Sequence, residues 1–274
     1  MFRLVLSVLL SMACATTTAA QTSPAIRFDG WASAVVAADW RTSQGEPIQA
    51  FDNARRDLTS GFLAAGFSRA DMVDYSLRPD VTLVTTDVAA ARGIAEATAR
   101  ATRGCLLYVT SHGGPQGIVF GPNRILSPTS MVTLVRGWCQ DRPTVVVLSA
   151  CYSGIFVDSL AAPNRMIMAA ARRDRSSFGC SEDATYPYFD ACVIQTLPAA
   201  SDFISLANAT RACVKAREEA EGLSPRLGAT GLDRGRPATA SADTALHPSA
   251  ALKHCVAING RLEHTMNMQG GCRC

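Results

Sequence analysis

Lysine, charge and long apolar runs are all scarce in this chain of 274 residues. Lys215 and Lys253 are its two lysines, so nearly all of the 26 basic residues are arginines, and they form no basic run that would indicate nucleic-acid binding. Only 18% of the residues are charged and 48% are hydrophobic, which excludes a disordered or collagen-like chain. The composition is therefore that of a globular protein with a buried core.

A short apolar run lies at the N-terminus. Leu4 to Ala13 follows a positive start and precedes the small residues of Thr16 to Gln21, which is the layout of a secretory signal peptide. A run of about ten residues is too short to span a bilayer, which needs about 20. We predict a signal peptide over residues 1–20 and an exported protein, periplasmic or extracellular, with no stable membrane span. A lipid anchor on Cys14 is the minority alternative.

The ten cysteines are well above ordinary usage for a chain of this size. Cytosolic enzymes rarely carry so many, whereas exported proteins use them in disulfides. Removing Cys14 with the signal peptide leaves nine cysteines. An odd number predicts one free or reactive thiol among paired ones.

Apolar, β-branched runs alternate with amphipathic stretches along the chain. Strands are predicted at 34–38, 72–76, 105–111, 144–150 and 165–170, and helices at 48–65, 87–103, 127–137 and 201–221. Asp87 is predicted to cap its helix. Because the strands are apolar on both faces, they predict a mostly parallel α/β sheet covered by helices on both sides.

The C-terminal part has a different composition. Residues 224–250 are rich in Pro, Gly, Ala, Ser and Thr and are predicted to form a surface loop. We therefore expect a single domain over residues 21–250 and a Cys/His-rich tail over 251–274. The tail offers five soft ligands, but their spacing is unlike that of zinc motifs, so no metal site is predicted; they are His254, Cys255, His264, Cys272 and Cys274.

Two of the predicted strands lead into residues that carry chemistry. One runs into His112-Gly113 and the other into Cys151, and ligands bind at the carboxyl ends of parallel strands. A thiol is nucleophilic as its thiolate, and an imidazole can take the thiol proton and return it to a leaving amine. The N–H groups of Gly113 and Cys151 are candidates for an oxyanion hole. The alternative is a polar strand end and a structural cysteine.

The segments around these residues resemble the two signatures of the legumain family of cysteine peptidases, family C13 of the caspase-like clan. They are Thr110-Ser111-His112-Gly113 and Ser149-Ala150-Cys151-Tyr152-Ser153-Gly154. The resemblance continues through Ala169-Ala170-Ala171 and Ser176-Ser177-Phe178 as far as Asp190, and covers roughly residues 33–230. It implies a three-layer α/β/α caspase-like sandwich and a bacterial-type exported member.

The resemblance also implies roles for individual residues. His112 is the general base and acid, and Cys151 is the nucleophile. Ser176 and Ser177 line the pocket for the side chain that precedes the scissile bond, and Asp190 is placed like a pocket acid.

Two positions depart from the family pattern. Asp39 stands where the family has an asparagine that supports the histidine, so it is a candidate for orienting His112. Ser149 replaces the acidic residue that family members cleaving after Asn carry two positions before the nucleophile. The preference of this substrate-binding pocket therefore stays open among Asn, Asp and basic side chains.

The expected function is that of a cysteine endopeptidase that hydrolyses peptide or protein substrates through a thioacyl-enzyme. No cofactor and no nucleic-acid partner are expected, and the oligomeric state is not predicted. Two alternatives stay open: a transpeptidase or transamidase that uses the same acyl-enzyme, and a non-catalytic binding protein with a caspase fold.

Reserving Cys151 as the reduced nucleophile leaves an even set of eight cysteines for disulfides. Cys180 and Cys192 flank the pocket segment, and Cys105 and Cys139 each lie near the start of a strand, so both pairs are expected. The remaining cysteines would tie the tail to the last helix; they are Cys213, Cys255, Cys272 and Cys274.

Overall fold

The computed structural model describes residues 28–42, 44–79, 84–177 and 183–221, and two short strands beyond them. The strands are β1 (Trp31–Ala37), β2 (Met72–Ser76), β3 (Gly104–Thr110), β4 (Gly113–Gly114), β5 (Gly117–Val119), β6 (Ile125–Leu126), β7 (Thr144–Ser149), β8 (Arg165–Ala169), β9 (Cys255–Val256) and β10 (Leu262–Glu263). The helices are α1 (Ala50–Ala64), α2 (Asp87–Arg100), α3 (Pro128–Cys139), α4 (Val157–Leu160), α5 (Tyr188–Thr196) and α6 (Phe203–Ala220). Short 3-10 turns lie at Arg69–Asp71, Ser153–Phe156 and Leu197–Ala199.

The central sheet has five strands in the order β2-β1-β3-β7-β8, and every neighbouring pair is parallel. Strand β3 lies at the centre, with β1 on one side and β7 on the other. The antiparallel strands β4, β5 and β6 form a small separate sheet directly after β3. All carboxyl ends of the five central strands therefore lie at one edge of the sheet.

Each face of the sheet is covered by its own hydrophobic core. On one face, Val35 and Tyr108 pack with side chains of α1, α5 and α6, such as Leu58 and Phe203. On the other face, alternate strand residues pack with α2, α3 and α4, through side chains such as Ile94, Val135 and Leu160. Alternation along a strand sends successive side chains to opposite faces, which is why both faces are apolar. The predicted three-layer α/β/α sandwich with a parallel sheet is confirmed.

The predicted elements agree with the structure to within three residues at each end. The cap of α2 differs: the Thr86 hydroxyl accepts a hydrogen bond from the Ala89 N–H at 3.1 Å, so Thr86 is the N-cap and Asp87 is the first helical residue. Helix α5 and the small sheet were not predicted. Helix α5 has an apolar, weakly periodic sequence and no capping side chain, and the strands of the small sheet are too short to show alternation.

The predicted Cys180–Cys192 disulfide is wrong. Cys192 on α5 is bonded to Cys213 on α6, with a Cα–Cα distance of 5.7 Å, because these two helices pack against each other. Cys213 is therefore not available to tie the tail to α6. Cys105 and Cys139 are free thiols in the structure, so the disulfide expected between them is not formed there.

Several predictions fall on residues outside the described ranges. They concern the signal peptide, Cys180, the loop over residues 224–250 and the side chains of the tail. Among the helices that the structure does describe, none is long and apolar enough to cross a membrane.

Candidate active site

The carboxyl ends of β3 and β7 bring the predicted dyad to one place. Thr110 and Ser149 are register partners, and the Ser111 N–H donates to the Ser149 carbonyl at 3.0 Å. A Cβ atom on Gly113 would lie 2.2 Å from the carbonyl oxygen of Cys151, so this backbone approach requires glycine. His112 and Cys151 therefore extend from neighbouring strand ends.

The imidazole of His112 is held by a backbone group. Its Nε2 atom lies 2.7 Å from the carbonyl oxygen of Arg41, and the ring meets the Phe51 ring edge-on with centroids 5.1 Å apart. A carbonyl oxygen only accepts hydrogen bonds, so Nε2 must carry a proton. In the neutral ring the lone pair is then on Nδ1, which makes Nδ1 the basic atom.

Asp39 supports this arrangement through the neighbouring loop. Its carboxylate is buried and accepts hydrogen bonds from the Trp40 N–H and from Arg41 Nε, both at 2.8 Å. The Arg41 guanidinium also lies over the Trp40 ring, 4.5 Å from its centroid. Asp39 thus holds Arg41, and the Arg41 carbonyl accepts the hydrogen bond from His112. Asp39 is therefore linked to the imidazole through Arg41.

The Cys151 thiol is half-buried and is bonded to a neighbouring backbone segment. The Ser177 N–H donates to Sγ at 3.2 Å, and the Tyr152 N–H donates to the Arg175 carbonyl at 2.8 Å. Burial raises the pKa of the Cys151 thiol above its usual value, although the hydrogen bond from Ser177 opposes the rise. In the resting structure the thiol form is therefore favoured.

Backbone conformation and local contacts explain which residues follow Cys151. Tyr152 has a left-handed backbone with φ of 58°, which turns the chain sharply out of β7. The Ser153 hydroxyl is buried and accepts from the Ala171 N–H at 3.1 Å, just beyond β8. A Cβ atom on Gly154 would lie 2.5 Å from the backbone nitrogen of Arg173. The turn is thus fixed against the segment that follows β8.

A buried carboxylate lies beneath this edge of the sheet. Asp190, in the first turn of α5, is 0% exposed and accepts from the Tyr108 hydroxyl at 2.5 Å, from the Thr110 hydroxyl and from Ser149. Burial raises the pKa of Asp190 to about 6, and the three hydrogen bonds oppose the rise. One carboxylate therefore joins α5 to the last residues of both β3 and β7.

The arrangement contains the parts of nucleophilic catalysis: a thiol, an imidazole with a defined basic nitrogen, and a glycine that allows close backbone approach. A sequence profile described as the peptidase C13 family matches residues 96–212. Residues 96–212 are therefore similar to the peptidase C13 family.

The C13 region begins within α2 and ends within α6, so it includes His112, Cys151 and Asp190 and leaves out Asp39 and Arg41. Its members are cysteine peptidases. The fold is similar to that in the crystal structure of caspase-1 from Spodoptera frugiperda, with 12% sequence identity, a TM-score of 0.49, and coverage of 67% of this chain and 76% of that chain. No curated protein matches the sequence.

The other residues predicted for the site differ in their exposure and their contacts. Ser177 contacts the nucleophile through its backbone, whereas Ser176 beside it is exposed. Ser149 is buried and is bonded to Asp190. Their roles in substrate binding, that of Asp190 in substrate binding and that of Asp39 in orienting His112 stay predictions.

Sequence reasoning missed Arg41 and Phe51, the two residues that contact the His112 ring. Arg41 acts through its carbonyl, which every residue has, so no residue type signals it. Phe51 reads as an ordinary core residue of α1, and only the fold places it beside His112. Within the described part of the chain, no three His, Cys, Asp or Glu side chains converge as metal ligands do.

Proposed function

We propose that this chain is a cysteine endopeptidase in which Cys151 is the nucleophile and His112 is the general base and acid. The observation that carries the proposal is the hydrogen bond from His112 Nε2 to the Arg41 carbonyl, beside a half-buried thiol at the same sheet edge. That bond leaves Nδ1 as the basic atom of the imidazole. A histidine without such a partner would have no defined tautomer.

The chemistry follows from these positions. Nδ1 of His112 takes the thiol proton, and the Cys151 sulfur attacks the carbonyl carbon of the scissile bond. The N–H groups of Gly113 and Cys151 stabilise the oxyanion, and each such donor contributes roughly 3 kcal/mol to the transition state. His112 then protonates the leaving amine as the C–N bond breaks. Water hydrolyses the thioacyl-enzyme with His112 again acting as base.

Because burial raises the pKa of the resting thiol, proton transfer to His112 accompanies substrate binding in this scheme. Substrate must also reach a sulfur that the Ser177 backbone contacts. Ser176 and Ser177 are then placed to line the pocket for the side chain that precedes the scissile bond.

For this pocket we propose a preference for Asn or Asp over basic side chains. The Arg41 guanidinium remains 29% exposed next to the His112 loop and can donate to a carboxylate or an amide oxygen. Asp190, the acid expected to attract a basic side chain, already accepts from three hydroxyls and is fully buried. If it binds substrate, one of those hydroxyls must be displaced.

The test is cleavage of a peptide library by the full chain, the Cys151→Ala variant and a matched Cys105→Ala variant. Cys105 is a buried thiol at the opposite end of β3, so its substitution controls for loss of a cysteine. We expect cleavage by wild type and Cys105→Ala, with Asn or Asp before the cut, and none by Cys151→Ala. Cleavage that persists in Cys151→Ala would exclude Cys151 as the nucleophile.

The same experiment separates the two alternatives. Added amine nucleophiles that are incorporated into the products in place of water would identify a transpeptidase or transamidase. A folded wild-type chain that cleaves nothing, and whose Cys151 is not labelled selectively by a thiol-alkylating probe, would identify a non-catalytic binding protein.

We also propose that the protein is exported to the periplasm or the cell exterior. The N-terminal layout and the Cys192–Cys213 disulfide both support an oxidising compartment. The N-terminal residue of the mature protein, determined by mass spectrometry, tests the proposal: a start at Gln21 is expected, and a retained Met1 contradicts it.

A further inference from the structure

Two free thiols lie together at the amino end of the sheet, opposite the active site. Cys105 is the second residue of strand β3, and Cys139 is the last residue of α3. The chain then turns and enters β7, where Thr144 is the register partner of Cys105 and the Cys105 N–H donates to the Pro143 carbonyl at 2.9 Å. This return brings the two sulfurs together, and their thiols are hydrogen-bonded to each other.

The two thiols are buried from solvent and lie near a positive charge that is held in place by hydrogen bonds. Both cysteines are 0% exposed and belong to the same hydrophobic core. The Arg142 guanidinium is held by the carbonyl oxygens of Ala101, Trp138 and Cys139 and interacts electrostatically with both sulfurs.

The two thiols have unequal roles in their hydrogen bond. The bond from Cys139, together with the charge of Arg142, lowers the pKa of Cys105, while the same bond raises the pKa of Cys139. Cys105 is therefore the sulfur that more readily becomes a thiolate, and thiolates are the attacking species in disulfide exchange.

We propose that Cys105 and Cys139 form an oxidisable dithiol site, which a small-molecule disulfide such as oxidised glutathione converts to a second disulfide of the domain. The Cys105 thiolate attacks one sulfur of the oxidant and expels a thiolate. Cys139 then loses its proton and attacks the Cys105 sulfur of the mixed disulfide, which expels the second thiolate. The two cysteines are oxidised by two electrons, and the oxidant is reduced to two thiols.

The position of this bond distinguishes it from the catalytic thiol. Strand β7 separates the dithiol from Cys151 by about 20 Å, at roughly 3.3 Å per residue. The bond would close a covalent loop that contains His112 and the small sheet, while Cys151 stays reduced. Because both thiols are buried, exchange takes place before the core closes in folding or during its local opening.

The test is refolding of the full chain in a glutathione buffer, followed by alkylation in denaturant without reduction and peptide mapping by mass spectrometry. We expect a cross-linked peptide pair that contains Cys105 and Cys139, with Cys151 recovered alkylated. The Cys192–Cys213 disulfide is the internal reference for oxidising conditions. In Cys105→Ala and Cys139→Ala, we expect the remaining partner to be recovered as an alkylated thiol.

Two results would overturn the proposal. One is recovery of both cysteines as alkylated thiols while Cys192–Cys213 is intact, which would make them ordinary core residues. The other is a bond from either of them to a different cysteine. Because the main measurement is made on the wild-type chain and needs no activity, neither a variant that fails to fold nor the failure of the peptidase proposal affects it.

Discussion

Strands β3 and β7 carry thiol chemistry at both of their ends, and the two ends differ in access and in partners. At the carboxyl end, Cys151 is half-buried, His112 extends from the neighbouring strand end, and backbone groups of neighbouring loops hold both side chains. At the amino end, Cys105 and Cys139 are fully buried and bonded to each other. In the two proposals, the same functional group is a nucleophile at one edge and a disulfide partner at the other.

The difference shows what makes a cysteine reactive toward substrate in this fold. Both ends lower the cost of a thiolate with hydrogen bonds, from Ser177 at one end and from Cys139 at the other. Only the carboxyl end combines such a hydrogen bond with solvent access and with a histidine that can act as a base. Variants that disturb one end and leave the other intact therefore measure how far the two ends are independent.

The largest effect is expected from Gly113→Ala. The new Cβ atom would lie 2.2 Å from the Cys151 carbonyl, so the strand ends must separate and the oxyanion donors move. Loss of one such donor lowers kcat by about 10²- to 10³-fold. The matched control is Gly114→Ala, whose Cβ meets nothing within 4 Å. Equal kcat/KM for the two variants would show that the close approach has no catalytic importance.

Asp190 is expected to make the stability of the wild-type protein strongly pH-dependent, and Asp190→Asn should remove this dependence. Asp190 has a pKa raised from 3.8 to about 6, so its contribution to stability is full at low pH and is lost as pH rises through 6, when the buried carboxyl ionises. The loss is on the order of 3 kcal/mol at 1.4 kcal/mol per pKa unit.

Denaturant unfolding of wild type and Asp190→Asn at pH 4, 5 and 7 measures this contribution. The free energy of unfolding of the variant, relative to wild type, should increase over this range. A difference that is constant with pH would mean that the pKa of Asp190 is the same in the folded and the unfolded protein.

The alkylation rate of Cys151 by iodoacetamide should rise steadily with pH. Because burial raises the pKa of this thiol above 9.0, the thiolate fraction of the free enzyme increases about tenfold per pH unit between pH 6 and 9. Cys105 and Cys139 should stay unlabelled in the native protein because both are 0% exposed. A Cys151 rate that is already at its plateau at pH 7 would indicate a resting ion pair with His112.

The smallest effect is expected from Asp39→Asn, which removes the ion pair with Arg41. We expect kcat to fall about fivefold, equivalent to about 1 kcal/mol, because the Arg41 carbonyl is held less firmly against His112. The control is Asp174→Asn, which removes an exposed ion pair with Arg172. A shift of the pH optimum in the first variant alone would support an effect on the imidazole, and equal kcat in both would contradict it.

The sequence was sufficient to predict the sheet and the position of His112 and Cys151 at its carboxyl edge. The runs leading to His112 and Cys151 are apolar on both faces, which is typical of central parallel strands, and parallel strands end at a common edge. Strand β8 was predicted for the same reason.

What the sequence could not provide depends on contacts between distant segments. The Cys192–Cys213 disulfide follows from the packing of α5 on α6, and α5 has no clear periodicity. Two of the three hydroxyl partners of Asp190 are about 80 residues away on β3, and the sequence around them gives no sign that a carboxyl group lies beneath the sheet. The support of His112 comes from a carbonyl, which has no sequence signature.

The carbonyl of Arg41 has one more consequence. Substitution of residue 41 changes its side chain and leaves its carbonyl in the chain, so the proposed recognition of substrate and the proposed orientation of the base depend on different atoms of a single residue. Evolution or an engineer can thus exchange the guanidinium for another group and retain the acceptor for Nε2. The selectivity of such an enzyme can diversify at this position at the modest cost in kcat that is expected when the ion pair with Asp39 is lost.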